Sequence, residues 1–342
     1  MHEESEDVRN APAISLIITV YKAGPFFAGC LESVARQSFR DFELILIDDY
    51  PEQDLEHFIA AFSDRIPCIR CVKNDRNEGT LLSRIAGVEA AHGEFVAFLD
   101  YDDTCEDRFL AALHATALKS GADVVGSVIN NGKRRDTVFI EGTDGLLEGF
   151  LNDRIDNWNV WTRLFRREVL ETLYDYKPFL SEHRITAPED FVINILCALR
   201  GYSYHQMPDM LVSHGFDVPN SATNSVSLDS LTGKMASYAH MIRLLQGVEA
   251  RHRAAVDALV LRSLDYTYET SLMHADPDVL REVVDRTLRI EKGSEVVASV
   301  LLCSIERNRR LSGKRAAMRR KVTLLRKITG LHYISAAKKR LR

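Results

Sequence analysis

Along the first third of the chain, apolar positions fall in short unbroken runs: ISLIITV (14–20), FELILID (42–48), CIRCV (68–72), EFVAFLD (94–100) and ADVVGSVI (122–129). Runs of this length, rich in Val, Ile and Leu, predict strands buried on both faces. Between them, apolar residues recur at three-to-four spacing in PFFAGCLESVARQ, DLEHFIAAFSD and LLSRIAGVEAAHG, and again after the fourth run in EDRFLAALHATALK. That period predicts helices, the third stopping at Gly93. Strand alternating with helix implies an α/β fold, a mostly parallel sheet covered by helices on both faces. From about 150 to 230 the pattern is mixed, and Pro188 suits the first turn of a helix that starts with Glu189 and Asp190. From about 228 onward the chain reads as almost wholly helical.

In parallel sheets, ligands gather at the carboxyl ends of the strands, and there the polar residues of this chain repeat. The first run leads into Thr19-Val20-Tyr21-Lys22, the second ends in Asp48-Asp49, and the third runs into Asn74-Asp75-Arg76-Asn77-Glu78-Gly79. The fourth ends in FLDYDD, with Asp100, Asp102 and Asp103 inside four residues. Three carboxylates so close repel unless water, backbone donors or a cation offset the charge. A solvated turn capping the next helix is one reading. A divalent-metal site holding a phosphorylated ligand is the other, and the repetition at one rim favours it.

Composition narrows the class. The chain has 342 residues, 46% hydrophobic and 27% charged, as in ordinary globular proteins. No run of eighteen apolar residues marks a spanning helix, and the acidic start MHEESEDVRNAP lacks the pattern of a signal peptide. Cytosolic residence is the expectation. Cys68 and Cys71 are the one close pair among six cysteines; on a strand they point to opposite faces, so structural cysteines are expected rather than a zinc or redox pair. Residues 307–342 hold 14 Lys or Arg and no acid, which leaves 30 bases against 49 acids in the remainder. An acidic body with a basic tail calls for a partner.

In order and spacing, five segments resemble the family-2 glycosyltransferases of GT-A fold: ISLIITVY, QSFRDFELILIDD, NEGTLLSRIAGVEAAHGEFVAFLDYDD, VWTRLFRREVLE and PEDFVINILCALRG. The resemblance covers about 13–225, implying a nucleotide-sugar-binding and catalytic domain there and a helical region with a basic tail over 226–342. It implies a metal-dependent inverting transfer from a nucleotide diphosphate sugar, by family habit a UDP-sugar, to an acceptor hydroxyl on a glycan or lipid-linked molecule, as in surface-polysaccharide assembly. Thr19, Tyr21 and Asp48 match the part that holds the base, and Arg84 an arginine near the donor. Asp100 and Asp102 match the Asp-x-Asp signature, the first on the ribose side and the last on a Mn²⁺ or Mg²⁺ ion. Asp103 can share the metal, and sequence does not apportion it. Asp190 matches the catalytic base; the plainer reading is an acid stabilising a helix N-terminus. Trp161 and Arg163 match a segment lining the acceptor side, where Glu189 and His214 are further candidates. Two departures stand out: Tyr50-Pro51 replaces the Gly or Ser that usually follows Asp-Asp, and Arg163 stands where lysine is frequent.

Two other functions compete. FLDYDDT also satisfies the Asp-x-Asp-x-Thr pattern of haloacid-dehalogenase-like phosphatases, with Asp100 as nucleophile and Asp102 as acid/base. That motif normally ends the first strand of its domain, however, and here three units precede it. A non-catalytic sugar-nucleotide binder would lack the base, and Asp190 is present. A nucleic-acid partner is not expected, since the body is acidic and the tail carries no reading motif. Within the tail, Met318, Val322, Leu325 and Ile328 recur at helical spacing among the cations. Such a helix suits an anionic membrane surface, placing the enzyme peripherally on the inner face; docking on its own body or on a second subunit is the alternative.

Overall fold

The computed structural model describes residues 11–129, 136–156, 158–214, 227–270 and 277–289, together with Val297. The chain divides into two units, Met1–Glu182 with Glu189–Val218, and His183–Pro188 with Pro219–Arg342.

The first unit opens as the apolar pattern predicts, with strand β1 (Ile14–Val20), helix α1 (Pro25–Ala35), β2 (Phe42–Asp48), α2 (Glu56–Phe62), β3 (Ile69–Lys73), α3 (Thr80–Ala90) and β4 (Phe95–Phe98). Every residue of β2 and β4 is buried, which is why those runs do not alternate. A short β5 (Thr104–Cys105) follows, then α4 (Phe109–Ser120), β6 (Val124–Gly126), β7 (Val138–Glu141) and α5 (Gly142–Leu151). The mixed stretch resolves into β8 (Arg163–Arg166), α6 (Arg167–Glu171), α7 (Lys177–Glu182), α8 (Glu189–Ala198), β9 (Ser203–Gln206) and β10 (Val212–Ser213).

Eight strands form one sheet in the order β3-β2-β1-β4-β8-β6-β9-β7. The first four are parallel, with Val20 of β1 level with Asp48 of β2 and Ile17 level with Phe98 of β4. β8 enters antiparallel between β4 and β6, and β7 closes the edge antiparallel to β9. Two of these strands, β8 and β9, lie where the sequence pattern is mixed, and β7 lies just before that stretch. The fifth expected strand shrinks to three residues. The carboxyl ends of β1 to β4 therefore share one rim.

α3 approaches this sheet closely. A side chain at Gly87 would place its Cβ 2.5 Å from Ile17 Cγ2 of β1, so only glycine lets the helix sit at this depth. Cys30, Cys105 and Cys197 are buried, whereas Cys68 and Cys71 are exposed thiols unbonded to each other. The structural reading thus fails for that pair: they pack into no core. Cys303 lies outside the described residues.

In the second unit the described residues form α9 (Leu228–Leu244), α10 (Ala250–Thr270) and α11 (Pro277–Thr287). Ser227 caps α9 by accepting the Ser230 N–H at 3.3 Å. The buried Tyr238 hydroxyl of α9 meets Ser263 and Thr267 of α10 at 2.9 and 2.8 Å, satisfying three polar groups at once. Among the described residues no helix is long and apolar enough to cross a membrane. The basic tail, 307–342, lies outside the described residues.

Candidate active site

The turn leaving β4 is Asp100-Tyr101-Asp102-Asp103, closed by the Asp103 N–H donating to the Asp100 carbonyl at 3.0 Å. It runs straight into β5, which pairs antiparallel with β10, Ser213 opposite Thr104. That two-stranded ribbon carries His214 to the turn across 111 positions of sequence, its Nδ1 2.7 Å from Asp103 Oδ1. The His214 ring stacks on Trp161 with centroids 5.4 Å apart. Asp103 is buried at 1% exposure, whereas Asp102 is half-buried. Burial, then the charges of Asp100 and Asp103, push the Asp102 carboxyl up to about 6. The hydrogen bond to Asp103 raises His214 above its ordinary value.

Arg84 of α3 is the buried cation of the site, 2% exposed. One arm of its guanidinium donates to Asp100 Oδ1 at 2.8 Å. The other donates to Asp190 Oδ1 and lies 3.7 Å from Glu189 Oε1. The fork also lies over the Phe98 ring of β4, 5.7 Å from its centroid. Asp190 and Glu189 open α8, as Pro188 predicts, and Asp190 Oδ2 accepts the Val160 N–H at 3.3 Å. Burial raises both carboxyls, and Arg84 opposes it. Glu189, the farther from Arg84, gains less from it.

At the end of β2 the two aspartates do different work. Asp48 is buried and accepts the Tyr50 N–H at 3.1 Å and Gln53 Nε2 at 2.6 Å, while Gln53 Oε1 takes the Ala23 N–H at 2.9 Å. The loops after β1 and β2 are thereby tied together. Asp49 accepts Asn74 Nδ2, the Glu78 N–H and the Gly79 N–H at 2.8, 2.7 and 2.9 Å, holding the loop that starts α3. Thr19 is half-buried near the end of β1, and Tyr21 is 38% exposed just beyond it.

The structure thus brings Arg84, Asp100, Glu189 and Asp190 into one cluster, and Asp103, His214 and Trp161 into a second that shares the same turn. Thr19, Tyr21 and Asp48 stand at the adjoining ends of β1 and β2. Arg163 is a correction. It is fully buried, bonded to Asn194 and flanked by the rings of Phe150 and Tyr204 at 5.6 and 5.2 Å, with no surface to offer an acceptor. Its work is indirect, since Asn194 donates to the carbonyls of Trp158 and Asp190 at 2.6 and 2.7 Å. Sequence reading also missed Gln53 and the clamp made by Asp49; Asp49 showed only as a second acid at a strand end, and Gln53 gave no signal.

A divalent cation fits the donor chemistry of the turn: hard carboxylate oxygens carrying more negative charge than their surroundings balance. Among the described residues no three His, Cys, Asp or Glu side chains converge into a ready cage. Cations of the Mg²⁺ type need none, being held by one or two carboxylates together with substrate phosphates.

Residues 15–173 match the family model for Glycosyl transferase family 2. The chain is 27% identical over 223 residues to "Uncharacterized glycosyltransferase EpsJ" of Bacillus subtilis, covering 62% of this chain and 63% of that protein. It is 26% identical over 305 residues to the succinoglycan biosynthesis protein ExoO of Rhizobium meliloti, covering 81% and 85%. The chain spans less than two thirds of the length of the first curated relatives it matches. Among solved structures, Staphylococcus aureus TarS 1–349 in complex with UDP-GlcNAc is similar, with a TM-score of 0.59 and 17% identity over 86% of this chain and 88% of that one. A mannosyltransferase from Pyrobaculum calidifontis in complex with GDP-Man and Mn²⁺ aligns with a TM-score of 0.51 and 14% identity over 89% and 88%. At these identities the structural likeness speaks for the fold.

Proposed function

We propose that this chain, whose residues 15–173 match the Glycosyl transferase family 2 model, moves a sugar from a UDP-sugar to an acceptor hydroxyl with inversion at the anomeric carbon. The observation that carries this is Arg84, whose one guanidinium holds both Asp100 of the Asp-x-Asp turn and Asp190. Donor end and acceptor end of a displacement are thereby fixed relative to each other, which is what an in-line transfer needs.

In this reading Thr19, Tyr21 and Asp48 receive the base and Asp100 the ribose side. Asp102 and His214 would hold a Mn²⁺ or Mg²⁺ ion, with Asp103 orienting the His214 ring, as carboxylates do behind metal-binding histidines. When bound, the ion supplies Lewis-acid neutralisation of the diphosphate as it leaves. Asp190 takes the proton of the attacking hydroxyl. Its burial raises its basicity above that of an ordinary aspartate, and Arg84 opposes part of that rise. Glu189 and Trp161 line the side from which the acceptor arrives.

The phosphatase alternative would need Asp100 as a free nucleophile on the first strand. The turn instead ends β4, and Asp100 is engaged by Arg84.

The acceptor belongs to surface-polysaccharide assembly, a glycan or lipid-linked chain, in keeping with the succinoglycan relative. The 307–342 tail would hold the enzyme on the anionic inner face of the membrane. A flotation assay with anionic vesicles tests this: replacing Arg319, Arg320, Lys321 and Lys327 with Gln should release the protein, and unchanged binding rejects the tail as anchor.

The function itself is tested by calorimetric titration of UDP with Mn²⁺, then with EDTA, then on Asp102→Ala. Binding that depends on metal and vanishes in the variant supports the reading and opens a screen of UDP-sugars, with the product anomer read by NMR. A folded protein that binds no UDP under any of these conditions refutes it.

A further inference from the structure

The turn after β2 departs from its family pattern, and the structure shows what the departure builds. Tyr50-Pro51-Glu52-Gln53 closes on itself, the Gln53 N–H donating to the Tyr50 carbonyl at 2.9 Å. Pro51 occupies the second position of that turn, where its fixed φ is already correct. The Tyr50 N–H is spent on Asp48 at 3.1 Å, and its hydroxyl donates to Glu52 at 2.6 Å. Its ring meets Tyr21 edge to face, with centroids 5.4 Å apart and planes 70° from parallel. Lys22, held at a φ of 55°, places its ammonium 5.2 Å from the centroids of both rings. The backbone N–H and the ring edge are both engaged, which holds the Tyr50 ring across the ends of β1 and β2, while its bond to Glu52 lies in solvent.

We propose that Tyr50 determines which nucleobase the donor site accepts, its ring standing where the ends of β1 and β2 adjoin and leaving room beside Tyr21 for a pyrimidine but not for a purine. The inference rests on the nucleotide-sugar reading above, because that reading places a base beside Asp48. Geometry supplies the rest. A base sandwiched between two ring faces needs about 7 Å, twice the van der Waals contact of about 3.5 Å. The two tyrosines stand too close for that, and nearly at right angles. A base can therefore lie on the exposed face of only one ring, with the other as an end stop. Tyr21, the ring on the β1 side and 38% exposed, offers that face. Tyr50 is then the stop, held in place by the buried Asp48 carboxylate that accepts its N–H. With Gly or Ser at position 50 that ring would be gone, and the second ring of a purine would have room. The ammonium of Lys22 adds positive charge at the same rim, where the diphosphate follows.

The experiment is calorimetric titration of UDP and of GDP, each with Mn²⁺, into the full chain and into Tyr50→Gly and Tyr50→Phe. Wild-type protein should prefer UDP at least tenfold. Tyr50→Gly should cut that preference to threefold or less, mainly through tighter GDP binding, while Tyr50→Phe keeps it within threefold of wild type, because the ring and not the hydroxyl sets the limit. Circular dichroism confirms folding of each variant, and Tyr50→Phe covers the case in which the glycine loosens the turn: if the preference is then lost with the ring still present, the inference is overturned. It is also overturned if Tyr50→Gly keeps the wild-type UDP:GDP ratio. Wild-type protein that binds neither nucleotide removes the underlying functional reading, and this inference with it.

Discussion

Arg84 donates to Asp190 across 106 positions of sequence, from a side chain only 3% exposed. The same fork holds Asp100, so two carboxylates from different helices and turns depend on one cation. Replacing Arg84 with Met should destabilise the protein by about 3–5 kcal/mol, the cost of leaving buried charges without their partner. Arg84→Lys keeps the charge but cannot serve both carboxylates with one planar fork. We expect it to fold and to transfer sugar roughly a hundredfold more slowly. Urea unfolding and initial rates test the pair; a lysine variant with wild-type turnover would show that bridging is not needed.

Asp190→Asn tests the proposed proton acceptor, because it removes the carboxylate while leaving the shape of the helix start. The rate of transfer should fall by about 10² to 10⁴, the usual worth of a general base, with UDP affinity within threefold of wild type. In the wild type, burial raises the Asp190 carboxyl. Activity therefore declines as pH falls, with its acid limb above the ordinary aspartate value of about 3.9. A pH–rate profile checks both points, and an unshifted profile in Asp190→Asn would assign the base elsewhere.

The strands β1 to β4 were legible because a doubly covered sheet demands unbroken apolar runs, and their rim was legible because polar residues repeated there. β7, β8 and β9 were not, for a local reason: VFIE, RLFR and SYHQ carry charged or polar residues that break the apolar run which marks a four-residue strand such as FVAF of β4. Arg163 misled because a charged residue beside a motif invites a surface reading. Burial between Phe150 and Tyr204, with Asn194 as partner, is a property of the packed chain alone. The pairing of Asp103 with His214 was equally hidden, since it depends on a ribbon of two-residue strands whose halves are far apart in sequence.

Gly79 sits at φ 86° and ψ 160°, a region essentially closed to residues with a Cβ, and its N–H is one of three donors on Asp49. Gly79→Ala should cost about 1–3 kcal/mol and shift the start of α3, the helix that carries Arg84. Asp49→Ala should act in the same direction by leaving three donors without their acceptor. Both variants should lose activity at temperatures where they remain folded, measured as rate against the fraction folded. Full activity in folded Gly79→Ala would show that α3 is held by other means.

The proposed metal site would have its own signature in stability. A carboxyl whose folded pKa is raised binds its proton more tightly in the folded state, so Asp102 favours folding below its unfolded value and loses that contribution as pH rises towards about 6. A cation that binds the ionised turn reverses the loss. Adding Mn²⁺ should therefore raise Tm by several degrees at pH 7.5 and much less at pH 5, where Asp102 holds its proton. EDTA should abolish the shift, and so should Asp102→Asn. An equal shift at both pH values in the asparagine variant would place the ion elsewhere.

The amino-terminal ends of the same strands hold a different charge, and it is there for the fold. Glu43 stands level with Ser15 in the β1–β2 register, its side chain 3% exposed. Burial alone would raise its carboxyl. The His92 N–H at 2.8 Å, the Ser15 hydroxyl at 2.8 Å and Arg70 at 2.9 Å outweigh that and hold it below the ordinary glutamate range. Because folding lowers this pKa, the stabilisation is complete above the unfolded value of about 4.3 and drains away as pH falls through the folded value. Glu43→Gln keeps the two donors on one oxygen but turns an amide N–H towards Arg70. Since Arg70 is 35% exposed, water offsets part of the loss, and we expect about 2 kcal/mol at pH 7 rather than the full cost of a broken buried pair. The gap between the two proteins should narrow steadily below pH 4.3, because the wild type then forfeits what the variant never had. Chemical unfolding at pH 7, 5 and 3.5 measures it; a gap constant across that range would mean that Glu43 is held by packing and not by its charge.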